Sequence, residues 1–223
     1  MIALTDILQR LCEQEFPRMT VNGASERALS VFLQSLRLDR CSHVVREHGA
    51  SVVIGSIAYS VVAQFKRPAF SAAEISAERL IEHGYLAPIR NGTGPVCRSL
   101  LLLRALISGA IAVDATPRTV AEIATDAGEG MSQDARACLR EELERPLTVA
   151  QLAEQSHSLA TATEIYLAAA MAVRAVPNGR ADDSVQFMVQ LTDFLALEAP
   201  LARRLNDAAT QVAALPEALS QSA

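Results

Sequence analysis

Three ligand-type side chains fall within eight residues in the first quarter of the chain, as Cys41-x-His43-x4-His48. Thiolate and imidazole are the donors that zinc takes, but a structural zinc site closes with four ligands. No fourth donor lies nearby, so this cluster reads as a surface histidine pair. Cys12, Cys97 and Cys138 stand far apart, and the chain contains no Cys-x-x-Cys. The spacing is neither a zinc framework nor a disulfide framework, and the four cysteines read as reduced thiols serving as small apolar side chains. His83 and His157 sit near expected helix ends, where an imidazolium favours the C-terminal dipole. Nucleophilic catalysis finds no Gly-x-Ser-x-Gly and no cysteine in a local catalytic signature. Gly92-Thr-Gly94 has neither the preceding strand nor the following Lys-Ser/Thr of a phosphate loop. Nothing marks any two of the 25 Asp and Glu residues as an acid–base pair. The expectation is a protein with no catalytic residue, no cofactor and no enzymatic activity.

The elements that would have to position any site are helices. Half of the 223 residues are hydrophobic, yet only 4% are aromatic and there is no Trp. Apolar content drawn mainly from Ala, Leu and Val favours helix over sheet. The net charge of −5, with Lys66 the single lysine and no basic run, argues against a nucleic-acid surface. The N-terminal sequence has no basic n-region, so no secretory signal is read there and a cytoplasmic start is expected. Amphipathic helices are predicted over 3–15 and 26–38, the second capped by Ser25. No segment reads as a strand. Residues 181–195 are predicted to form a helix with Val185, Met188, Val189 and Leu191 inward.

Residues 49–65 carry no Asp, Glu, Lys or Arg, and are bracketed by Arg46 and Lys66-Arg67. Ser51/Gly55 and Ser56/Ser60 recur four apart, a spacing that lets helix backbones approach closely. The run is near the shortest length that spans a bilayer. It reads either as a membrane-associated helix or as a buried helix or oligomer contact. Residues 66–97 look like a joint. Ser71-Ala-Ala-Glu74 is a capping box expected to open a helix running to His83, and Pro88 and Asn91-Gly-Thr-Gly-Pro95 form a loop. From Arg98 the chain is helical. Leu100–Val113 is apolar except for Arg104 and Ser108, and should be a buried central helix. The charged run 133–144, stopped by Pro146, reads as a solvated face with i,i+4 pairs. Residues 110–117 (Ala-Ile-Ala-Val-Asp-Ala-Thr-Pro) and 170–177 (Ala-Met-Ala-Val-Arg-Ala-Val-Pro) match at an offset of 60 residues. They read as the ends of equivalent helices in an internal repeat. The organisation expected is an N-terminal helical region at 1–46, the apolar helix at 47–67, a linker with a short helix at 68–97, a helical domain at 98–215 and a tail at 216–223.

Several loose motifs, taken in order, resemble a known family. They are Leu100-Leu-Leu-Leu-Arg-Ala-Leu-Ile107 with Ala112-Val-Asp114, Cys138-Leu-Arg-Glu-Glu-Leu-Glu-Arg-Pro-Leu147, Ala162-Thr-Glu-Ile-Tyr-Leu-Ala-Ala-Ala170, and Leu195-Ala-Leu-Glu-Ala-Pro-Leu201. With Gly55-Ser-Ile-Ala-Tyr59 upstream, they make residues 47–213 similar to the domain of unknown function family 533, the YebE-like branch of the TerB-like (tellurite-resistance) superfamily. The resemblance implies an all-α domain of two pseudo-symmetric halves, an inner-membrane association for some members, and a setting in tellurite resistance or envelope stress. It implies no enzymatic activity. Related domains carry an acidic turn after the first long helix, suited to a hard divalent cation held by oxygen ligands. Here Asp114 keeps the first acid and Glu122 falls near the last. Ala115, Pro117 and Arg118 replace the rest, and Arg174 takes the acid's place in the second copy. Asp114 and Glu122 are therefore a degenerate remnant of a cation site, and Asp114 is better read as a helix-capping or salt-bridge residue.

Two functions follow as expectations. One is an interaction or scaffold module at or near the bacterial inner membrane, with a protein partner or a second copy, and with membrane contact through 49–65. The other is a soluble helical sensor of a cation or ligand. No nucleic acid is expected as a partner, and the location expected is the cytoplasm or the cytoplasmic face of the inner membrane.

Overall fold

The computed structural model describes residues 3–13, 23–36, 48–86, 89–91, 94–113, 131–175 and 181–214. Among them ten α-helices build the molecule: α1 (Leu4–Cys12), α2 (Ala24–Ser35), α3 (Ala50–Lys66), α4 (Ala77–Glu82), α5 (Arg98–Val113), α6 (Gln133–Glu144), α7 (Val149–Glu154), α8 (Leu159–Ala175), α9 (Ala181–Phe194) and α10 (Ala199–Ala213). The class is all-α, as composition predicts. One small exception interrupts it: Ile89–Asn91 (β1) and Gly94–Val96 (β2) pair antiparallel, with Ile89 opposite Val96 and Asn91 opposite Gly94. The stretch expected to be a loop thus holds two paired strands of three residues each. Asn91 closes β1 opposite Gly94, and Pro95 sits within β2, so the strands lack the alternating pattern by which a strand is read from sequence.

Local sequence sets several helix starts, though not that of α2, where Gly23 precedes the helix and Ser25, the expected cap, lies within it. Ser132 accepts a hydrogen bond from the Ala135 amide at the start of α6, and Thr148 and Gln151 form a reciprocal capping box on α7. Ser158 accepts from the Thr161 amide and opens α8, and Pro200 sits in the first turn of α10. The Ser71–Glu74 box closes only a single 3₁₀ turn, Ala72–Glu74; Ser76 then caps α4 independently. At the end of α4, Gly84 takes a φ of +85°, a conformation that stops a helix without strain only in glycine.

The core is centred on three apolar helices. α8 packs most extensively on α5, then on α10 and α3. α2 lies across α5, α6 and α3, and α9 lies across α7 and α5. One continuous cluster of buried apolar side chains runs from Leu4 to Val212. α3 is inside it: every residue from Ala50 to Val62 is buried. The neutral run is therefore sealed by protein, not left for lipid. Among the described residues no helix is long and apolar enough to cross a membrane.

α5 and α8 cross where a Cβ on Gly109 would stand 2.5 Å from the Ala169 carbonyl oxygen. Gly109 and Ala169 are 60 residues apart, the offset at which residues 110–117 match 170–177.

Candidate functional site

Asp114 and Glu122 lie outside the described residues, as do Cys41 and His43. His48 is buried just ahead of α3. Among the described residues no group of three His, Cys, Asp or Glu could hold a metal ion. Cys12, Cys97 and Cys138 are free thiols, but Cys12 and Cys97 are exposed and not packed as small hydrophobes.

The polar residues that the structure does bring together are ones the sequence left unassigned. Glu26, on α2, is buried at 5% exposure. Its Oε1 accepts the Ser51 amide at 3.1 Å, and its Oε2 accepts the Ser99 hydroxyl. A carboxylate from one helix thus serves as the N-terminal cap of α3, where the first amides and the helix dipole favour negative charge. Gly49, with φ +93°, bends the chain into that position; a Cβ there would come within 2.8 Å of Glu26 Oε1.

Deeper still, the Arg98 guanidinium meets Glu164, which is 1% exposed, and also donates to the Gly84 carbonyl at 2.6 Å. Burial pushes the Glu164 carboxyl up to about 8, and Arg98 only partly opposes that rise. The other Glu164 oxygen lies over Gly55: a Cβ there would stand 2.8 Å from it. The small residue in α3 makes room for a carboxyl of α8. Burial likewise raises the neighbouring Tyr85 hydroxyl well above the ordinary tyrosine range, and that hydroxyl shares a 3.3 Å hydrogen bond with Thr163.

The two polar residues inside the apolar α5 run are both employed. Arg104 grips Glu142 with Nε and Nη2 at 2.8 and 2.9 Å, and Ser108 donates to the Leu147 carbonyl at 2.8 Å. Glu142 therefore departs from the expected solvated face of α6; it turns inward because Arg104 waits there. These contacts tie α2, α3, α5, α6 and α8 into one frame.

The accessible candidate is a groove of about 640 Å³ between α8, α9 and α10. Tyr166 and Val173 come from α8, Val185, Met188 and Val189 from α9, and Ala202 from α10, with Arg174, Asp193 and Arg203 at the edges. Of the α9 residues expected inward, Leu191 is buried and Met188 is partly buried against the core, while Val185 and Val189 are not. Phe187 and Leu191 face the core, whereas Val185 and Val189 are 63% and 55% exposed. α9 thus has two apolar faces, of which the bundle covers one. Four residues apart, Val185 and Val189 stand one above the other on the outer face.

A family model described as a protein of unknown function (DUF533) matches residues 20–209. No curated protein and no solved structure matches the chain. The match begins upstream of residue 47, where the motif resemblance starts, and takes in α2 with Glu26.

Proposed function

The chain belongs to the DUF533 family of uncharacterised proteins, and from that premise we propose that it is a non-enzymatic helical interaction module whose contact surface is the groove between α8, α9 and α10. The observation that carries this reading is the uncovered second face of α9, Val185 and Val189 beside the groove. Contiguous apolar surface next to a concavity, rimmed by charge, is the pattern of a protein contact, whereas single exposed aliphatics are not. An apolar helix face laid against a groove of this kind is a recurring recognition mode. The occupant proposed is a second copy of the chain, each α9 filling the other's groove, so that one patch serves both sides of a two-fold contact.

Sedimentation of the wild type and of the double variant Val185→Asp, Val189→Asp tests this. Self-association at about 100 μM in the wild type, equivalent to about 5.5 kcal/mol of contact free energy, and a monomer in the variant is the expected result. A wild type that stays monomeric there removes the self-association reading. The tellurite or envelope-stress setting at the cytoplasmic face of the inner membrane, which the TerB-like resemblance implies, is proposed with it. A deletion strain should regain tellurite tolerance with the wild-type chain and not with the double variant.

A further inference from the structure

On another side of the molecule, between α3, α4 and the start of α8, lies a cavity of about 390 Å³, within the size range of small-molecule sites. Its walls are aromatic and aliphatic: Tyr59, Phe70 and Tyr85, with Val62 and Ala160. Tyr59 is the hub. Phe70 and Tyr85 meet it edge-on at 5.6 and 5.4 Å between ring centroids, and His83 stacks on it at 5.3 Å. The rim is cationic. Lys66, Arg67 and Arg79 line the cavity and no carboxylate does, in a chain that carries 25 acids against 20 Lys and Arg. Arg67 is ion-paired with Glu74, which stands outside the lining. Neither Lys66 nor Arg79 forms a close ion pair among the described residues, although Arg79 is near enough to Glu74 to help hold that carboxyl below its usual range. Tyr59 is 4% exposed, and its hydroxyl takes no hydrogen bond there. Leu159, 42% exposed, adds an apolar edge at the mouth.

We propose that this cavity binds a small organic anion, a phosphate or carboxylate on a flat apolar body. Cations concentrated around a low-dielectric concavity focus an attraction that the rest of this acidic molecule lacks. The head group would sit between Lys66 and Arg79, with the Tyr59 hydroxyl as a further donor. The body would lie against the apolar lining, with Leu159 at the mouth and Val62, Tyr59 and Ala160 behind it, and would gain by burial. The first turn of α8, at Ser158, adds partial positive charge to the same rim.

The test uses 1-naphthyl phosphate as the probe, with inorganic phosphate and 1-naphthol as its two halves. With no Trp in the chain, naphthyl fluorescence can be excited free of indole background. The full chain should bind 1-naphthyl phosphate saturably and at least about tenfold more tightly than either half, since one charge-assisted hydrogen bond already exceeds that factor. Lys66→Glu with Arg79→Glu should weaken binding by about tenfold or more. Both residues are exposed, so the fold should tolerate the change. Tyr59→Phe removes one hydroxyl alone and should weaken phosphate-bearing probes while leaving 1-naphthol unchanged. Val185→Asp with Val189→Asp should leave binding intact. The proposal is overturned by no saturable binding at millimolar probe, by binding that the charge reversal leaves unchanged, or by loss only in the α9 variant. Inorganic phosphate binding as tightly as the naphthyl ester would equally overturn it, because the apolar walls would then contribute nothing.

Discussion

Glu164 has a raised carboxyl because burial outweighs its guanidinium partner. A group with a folded-state pKa of about 8 and an ordinary value of 4.5 holds a proton more firmly in the folded chain. Its contribution to stability is complete below 4.5 and is lost as pH rises through about 8. Glu164→Gln keeps an acceptor for Arg98 and removes the titration. Denaturant melts across that window should therefore show the wild type losing stability relative to the variant as pH rises, with the two curves separating between those limits. A parallel pair of curves would mean that the carboxyl is already ionised against Arg98. No residue of this centre was legible as a centre in the sequence. Glu26, Arg98 and Glu164 are ordinary helix residues there, separated by 72 and 66 positions, and only burial gives them a role.

At the scale of elements, helix contacts are set by small residues. Gly109 faces the Ala169 backbone, and a methyl group there meets a carbonyl oxygen at 2.5 Å that cannot rotate away. Gly109→Ala should gain about 1 kcal/mol of helix propensity and lose more to overpacking, commonly about 1–3 kcal/mol and higher against backbone. A lower melting temperature is expected, and a higher one would place the α5–α8 crossing elsewhere. α3 illustrates the same logic: its Gly55 seats a carboxyl from α8, so the small-residue spacing marks a close helix contact inside the protein. The ends of α6, α7 and α10 were legible from Ser132, Thr148 and Pro200, because caps act within four residues. The phase of α9 was not. Its apolar residues 185, 187, 188, 189 and 191 cover more than half the helix circumference. Which of them is buried depends on α5 and α7, elements distant in sequence.

For the whole molecule, the core joins regions that composition would separate at the 66–97 joint. α3 covers faces of both α8 and α10, and α2 spans α5 and α6. A chain beginning at Arg98 would lose that cover. Each buried aliphatic side chain left exposed costs about 1.5–3 kcal/mol, against a total stability of only about 5–15 kcal/mol. Such a chain should lack a cooperative thermal transition and should bind hydrophobic dyes. A sharp transition close to that of the full chain would show that residues 98–223 fold alone. The groove and the cavity belong to this scale too: each is made by three helices that no local pattern brings together.

The sequence by itself determined the helical class, the starts of α6, α7 and α10, the buried character of α5, and the family, whereas Ser25, expected to cap α2, lies inside that helix behind Gly23. These follow from propensity, short-range hydrogen bonding and the order of local motifs, all of which act over a few residues. Tertiary structure alone decided that 49–65 is a core helix, that Glu142 turns inward, that Val185 and Val189 face out, and that Lys66 and Arg79 share a cavity with Tyr59. Those outcomes turn on which surfaces meet. An apolar run has the same composition whether lipid, a partner or its own chain covers it, and only the packed neighbours distinguish these cases.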